Sequence, residues 1–136
     1  MASRRASAPP ERRPLPEAHA RGRAAEQAAA DHLIDEGYRI LWRNLRIGAL
    51  ELDLVAKKDD LVVVVEVRTR GPGAFAGPLA SITRTKQQTL LRAARGLWRG
   101  RVSKMPDVAR VRIDVMAVSF EDGAPRVEWI RGAITE

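Results

Sequence analysis

The stretch ELDLVAKKDDLVVVVEVRTR, residues 51–70, decides how the rest of the chain is read. From Leu61 to Val67 the residues are almost all β-branched and the run is short, which predicts a central strand buried on both faces. Residues from about Ala49 to Ala56 form the strand before it, and Lys57, Lys58, Asp59 and Asp60 make a polar turn. The pair reads as an antiparallel hairpin. Three acids interrupt its apolar pattern: Glu51, Asp53 and Glu66. Strand side chains alternate, so Glu51 and Asp53 share one face, and Glu66 and Arg68 share one face of the next strand. If residues 57–60 are the loop, Ala56 pairs with Leu61, and Glu51 lies opposite Glu66 with Asp53 diagonal to it. A register two residues longer puts Asp53 directly opposite Glu66. Both bring the three carboxylates to one face; only an odd shift separates them.

Outward from the hairpin, Ala25, Ala29 and Leu33 recur at helical spacing, with Ala28 and Ile34 widening the stripe. They predict an amphipathic helix from Arg23 to about Glu36, stopped by Gly37. Tyr38, Ile40 and Trp42 alternate with Arg39, Leu41 and Arg43 as in a strand. Residues 69–80, TRGPGAFAGPLA, read as a mobile loop. A helix from about Ser81, its expected N-cap, to Trp98 buries Leu90, Ala94 and Leu97, and presents Arg84, Gln88, Arg92, Arg95 and Arg99 on the other side. Val111, Ile113 and Val115 mark a fourth strand, and Val127 and Trp129 a fifth. The order is α-β-β-β-α-β-β, an α/β chain with a mixed sheet and one folded unit, residues 23–136. Trp42, Trp98 and Trp129 fall at core spacing and read as packing residues, and His32 reads as a surface histidine.

Converging acids require an offset. Directly opposed like charges are destabilising by roughly 0.2–1 kcal/mol on a sheet surface, and by more when buried. One offset is arginine, with Arg68 and Arg43 at hand. The other is a divalent cation: carboxylate oxygens, with water and a substrate phosphate completing the shell, suit Mg²⁺. The pattern alone leaves both open.

The chain has 24 Lys and Arg against 17 Asp and Glu, a net charge of +7. That excess favours an anionic partner, nucleic acid before a membrane surface. More than half of it sits in the first 23 residues, whose Arg, Ala and Pro content predicts a disordered basic arm over residues 1–22. No apolar stretch follows its arginines, so it does not read as a secretory signal. The absence of cysteine excludes disulfides, thiol catalysis and thiolate zinc sites, and fits a cytoplasmic protein. No apolar run approaches the ~20 residues of a membrane span. The arginine stripe Arg84, Arg92, Arg95 and Arg99 reads either as a solvated face or as a surface that follows nucleic-acid phosphates. Lys86, near the start of that helix, reads either as a plain surface lysine or as a phosphate contact.

The pieces GRAAEQAAADHLIDEGYRIL (22–41), Arg43–Asn44, ELDLVA (51–56), VVEVRTR (64–70), GPLASITRTK (77–86) and RIDV (112–115) stand in an order and spacing that resembles the YraN-like uncharacterised family. That family is a branch of the PD-(D/E)XK restriction-endonuclease-like superfamily, related to archaeal Holliday-junction resolvases. The resemblance spans about residues 20–120 and implies an αβββαβ core. By position it makes Asp53 and Glu66 the metal-binding acids, with the Val67 carbonyl completing the site. Glu26 would supply a third carboxylate, Glu51 would support the ligands, and Lys86 would open the next helix. It implies a Mg²⁺- or Mn²⁺-dependent endonuclease that hydrolyses DNA phosphodiesters, branched DNA included, and by analogy a homodimer. The alternative is a nucleic-acid-binding module of the same fold without catalysis. Two positions depart from the pattern. Arg68 stands where the motif has Lys, and Leu50 where a Gly usually precedes Glu51. Arginine stays protonated and cannot act as a general base, but it can bind phosphate bidentately and stabilise a transition state.

Overall fold

A computed structural model describes residues 17–70, 77, 79 and 82–135. The elements are α1 (Glu17–Asp35), β1 (Arg39–Ile47), β2 (Leu50–Lys58), β3 (Leu61–Thr69), α2 (Arg84–Gly100), a 3₁₀ turn at Val102–Lys104, β4 (Arg110–Glu121) and β5 (Ala124–Ile134). The strands form one sheet in the order β1-β2-β3-β4-β5, with β3 parallel to β4 and every other pair antiparallel. This is the mixed α/β architecture and the αβββαβ order expected.

The central hairpin takes the longer register. Lys58 pairs with Leu61 and Leu54 with Val65, leaving only Asp59 and Asp60 in the turn, with Asp59 at φ 54°. The Asp60 carbonyl also accepts the N–H groups of Ala109 and Arg110, which ties the turn to the start of β4. Val62 through Val65 are fully buried, as a central strand requires. Each such valine contributes about 1.5–3 kcal/mol of burial.

The sheet is covered on both faces. On one, Leu90, Ala93, Ala94 and Leu97 of α2 meet Leu52, Val55, Val62, Val64 and Val115. Gly96 lets α2 sit close to β1, since a β-carbon there would stand 3.1 Å from Ile47 Cγ2. On the other face, Ala25, Ala29, Ala30 and Leu33 of α1 meet Leu54, Val63, Val65 and Met116.

Several details depart from the sequence reading. Helix α1 begins at Glu17, so residues 17–22 belong to a helix and not to an arm. Their Ala-rich composition favours helix, and Pro16 marks where that preference ends. Residues 1–16, most of the loop expected over 69–80 and the expected cap Ser81 lie outside the described residues. The cap of α2 is Thr83, whose hydroxyl accepts the Lys86 N–H at 3.1 Å. In α1, Ala30 is buried where Ile34 was expected, and Ile34 is half exposed. The helix ends as foreseen: Gly37 takes φ 92°, and the N–H groups of Gly37 and Tyr38 return to Ile34 and Leu33. In β1 a bulge at Leu41 breaks the alternation, so Ile40 packs toward α1 and Trp42 toward α2. Leu50, at the departure from the family pattern, packs against the α2-side core.

Asp114 on β4 is fully buried. It accepts two bonds from Arg112 at 2.7 and 2.8 Å, one from Trp129 Nε1 at 2.9 Å, and one from the Gly132 N–H at 2.9 Å. These contacts fasten β5 across a bulge between Ile113 and Val115, opposite Gly132 at φ 60°. Trp129 is thereby a packing residue, and His32 lies edge-on to its ring at 5.6 Å.

Candidate functional site

At the far end of the hairpin from its turn, β2 and β3 part. Their ladder ends at Leu54 and Val65, which leaves Asp53 across from Glu66. The next N–H, that of Val67, donates to Asp53 Oδ2 at 2.9 Å. A carboxylate thus takes the place of a ladder carbonyl and opens a cleft of about 290 Å³ lined by Gly22, Ala25, Glu26, Asp53, Glu66 and Arg68.

The acids do not share one regular face as the alternation predicted. Leu52 packs toward α2 and Leu54 toward α1, so β2 turns over as it passes Asp53. The cause lies next door, where Asn44 holds φ 53° between the pairs Arg43–Leu54 and Leu45–Leu52. The result is two linked groups. Asp53 and Glu66 face each other inside the cleft, where the Asp53 charge raises the Glu66 carboxyl. Glu51, half exposed, turns toward α1 and lies 3.9 Å from Arg46. With its nitrogen facing the acids, the Asn44 amide donates to Glu26 Oε1 and Glu51 Oε1, each at 3.2 Å. Asn44 is the site residue the sequence reading did not single out. Its available signals were its place in the Arg43–Asn44 pair and the tolerance of Asn for positive φ.

Glu26 arrives by helix geometry. At about 100° per residue it falls between Leu33 and Ala30 on the buried arc of α1. Two cations close the other side: Arg68 Nε lies 3.5 Å and Lys86 Nζ 3.8 Å from Glu66 Oε2. Arg43, the other candidate to neutralise the acids, donates to Gln27 Oε1 at 3.0 Å, and its charge pulls the Glu26 carboxyl down. Arg84, Arg92 and Arg95 are exposed along α2. Arg95 is nine residues beyond Lys86, about 13 Å along the axis and outside the acid cleft.

All three cleft acids are raised from their ordinary values. Burial lifts Glu66 most, the Asp53 charge adds to it, and the value reaches about 7 despite Lys86 and Arg68. Burial also raises Asp53, against the pull of the Val67 N–H, Lys86 and Arg68. Burial, then Asp53 and Glu51, raises Glu26 against the Asn44 bond. The acids are therefore held at a cost that a cation between them would relieve. Their hard oxygens match Mg²⁺ or Mn²⁺, which keep several waters and need few protein ligands. Among the described residues, no three His, Asp or Glu side chains are already gathered closely enough to hold a metal. The donor set that fits is Asp53 with Glu66, and Glu26 at its edge. Arg68 Nε is buried without a hydrogen-bond acceptor, a donor left for an anion in the same cleft.

A buried acid and a half-buried one, flanked by two cations at the open end of a covered mixed sheet, define a small α/β protein with a charged cleft. The chain belongs to Uncharacterised protein family UPF0102, which it matches over residues 25–118. That is the YraN family named by the sequence resemblance. It is 40% identical to a UPF0102 protein of Sorangium cellulosum over 113 residues, 82% of this chain and 78% of that one. To a UPF0102 protein of Stutzerimonas stutzeri it is 41% identical over 121 residues, 88% of this chain and 98% of that one. Among solved structures it is similar to Pyrococcus furiosus SfsA in complex with Ca²⁺, with a TM-score of 0.41 and 16% identity over 88% of this chain and 65% of that one. It is also similar to an XisH family protein from Nostoc punctiforme, with a TM-score of 0.43 and 14% identity over 78% of this chain and 98% of that one. No helix among the described residues is long and apolar enough to cross a membrane.

Proposed function

We propose that this protein is a metal-dependent nuclease that hydrolyses phosphodiester bonds in DNA, with branched DNA as its substrate class. The observation that carries the reading is the pair of buried Glu66 and half-buried Asp53, mutually repelling and flanked by Arg68 and Lys86. Asp53 and Glu66, with Glu26 beside them, would hold Mg²⁺ or Mn²⁺. When bound, the cation would supply positive charge at the scissile phosphate and acidify a water. The chain's own groups do the rest. The Val67 N–H fixes the orientation of Asp53, while Asn44 holds Glu26 and Glu51 at the rim. Arg68 offers its unpartnered Nε–H to a phosphate oxygen and, staying charged, stabilises the negative charge that develops there. Lys86 brings a second cation from α2 to the same side of the cleft.

Arg68 also favours a second reading, a nucleic-acid-binding module without hydrolysis, in which Arg68 and Lys86 neutralise the acids in place of a metal. One experiment separates them. Purified protein is incubated with four-way, flapped and linear DNA in Mg²⁺, Mn²⁺ or EDTA, beside Glu66→Ala. The nuclease reading expects metal-dependent cleavage that the variant lacks. No cleavage of any substrate, together with unchanged metal binding in Glu66→Ala, overturns it. Salt-sensitive DNA binding that survives both EDTA and Asp53→Ala would mark the binding module. Arg68→Lys, which restores the motif's lysine, is expected to raise the cleavage rate.

A further inference from the structure

Helix α2 begins beside Glu66 and returns along the sheet to the start of β4. There, at the opposite end of the sheet from the acids, a second cleft of about 540 Å³ opens between the end of α2, the start of β4 and the end of β5. Its volume is typical of small-ligand pockets. The walls are apolar, formed by Leu91, Ala94 and Trp98 of α2, Val111 and Ile113 of β4, and Ile134 of β5. Among the described residues, every charged residue lining it is an arginine: Arg95, Arg99, Arg110 and Arg112. Arg112 is committed to Asp114, and Arg110 lies 3.8 Å from Asp60. Arg99 has no ion-pair partner among the described residues. Trp98 is half-buried against the core and gives part of its indole to the cleft wall.

An apolar slot with a tryptophan wall and an arginine rim is complementary to a flat aromatic body that carries negative charge. An unpaired nucleotide has that chemistry, with its base against Trp98 and its phosphate at the rim. The exposed arginines Arg84, Arg92, Arg95 and Arg99 share one face of α2, and the last two of them reach this rim. We propose that this cleft holds an unpaired base of a DNA strand, with the strand's phosphates at the arginine rim. The proposal rests on the nuclease reading and sharpens its substrate to DNA with a single-stranded segment near the cut.

The test is equilibrium binding by the full chain in EDTA, comparing a blunt duplex with the same duplex carrying an oligothymidine overhang. The overhang is expected to bind about tenfold more tightly and to quench tryptophan fluorescence. Trp98→Ala should remove that preference, as should Arg99→Glu at an exposed position that leaves the core alone, while Trp98→Phe keeps most of it. Equal binding of the two duplexes overturns the proposal, as does a preference that survives both Trp98→Ala and Arg99→Glu. So does a glutamate-rich peptide that quenches Trp98 where oligothymidine does not, which would make the cleft a protein-docking site. Binding in EDTA involves no hydrolysis. Cleavage without the overhang preference therefore overturns this cleft assignment alone, and the preference without cleavage overturns the hydrolytic reading alone.

Discussion

Asp114 and Glu66 lie on neighbouring parallel strands and are buried alike, 0% and 5% exposed. Their surroundings differ in kind. Asp114 receives four hydrogen bonds, two from a guanidinium in fork geometry, and its cation partner is matched to it alone. Glu66 shares its space with a second carboxylate, and its two cations stand off at 3.5 and 3.8 Å. One acid has been given everything its charge requires, and it holds a strand in place. The other has been given too little, and the deficit is what makes it able to bind something. Burial of an acid does not by itself mark a functional site; burial with incomplete compensation does.

The comparison can be broken by mutation. Asp114→Ala leaves Arg112, the Trp129 indole and the Gly132 amide without their acceptor. It should lower stability by about 3–5 kcal/mol, the range for breaking a buried pair, measured by denaturant unfolding without metal. If it costs no more than Glu66→Ala, the contrast fails.

Glu66→Gln should act in the opposite direction. Because Glu66 titrates near 7 in the fold against 4.5 as a free side chain, the folded state binds the extra proton between those values. The metal-free protein therefore loses stability as pH rises from 4.5 through about 7. At ~1.4 kcal/mol per unit, the loss is on the order of 3 kcal/mol. The Gln variant should lack that slope and be the more stable protein at pH 8. Added Mg²⁺ should stabilise the wild type increasingly over the same interval, and the variant hardly at all. Thermal unfolding across pH, with and without metal, checks each part. A flat metal-free wild-type profile would remove the case for a strained acid.

The smallest effect is expected at Asn44. Asn44→Ala removes one amide shared by two acids and places a residue less tolerant of φ 53° in β1, across from the turn-over of β2. A loss of about 1–2 kcal/mol, with weakened Mg²⁺ binding, would confirm that the rim positions the cleft. An unchanged Mg²⁺ affinity would restrict Asn44 to the backbone.

The hairpin was legible because its signal is redundant. The valine run marks β3 whatever the turn, and the two registers with even offset both bring Asp53 and Glu66 together. What escaped was local. The bulge at Leu41 and the turn-over at Asp53 come from single backbone conformations, which hydrophobic period cannot show, so Ile40 and Trp42 were assigned one face and Glu51 was placed with Asp53. Glu26 was readable on its helical wheel, although it took the family resemblance to draw attention to it. Asp114 looked like one more strand residue, because its partners lie 15 and 18 positions away at Trp129 and Gly132. The arginine-rimmed cleft was invisible for the same reason, being assembled from three chain segments that meet only in the folded sheet.

The bond from the Val67 amide to Asp53 has one more consequence. Amides along the hairpin ladder bond to peptide carbonyls, which do not titrate. Val67 bonds to a group that does. Its proton resonance and its deuterium-exchange rate should therefore follow the charge on Asp53 and move again when a cation enters. The hairpin thus carries its own spectroscopic reporter, a single backbone nitrogen that reads the state of the cleft without any label.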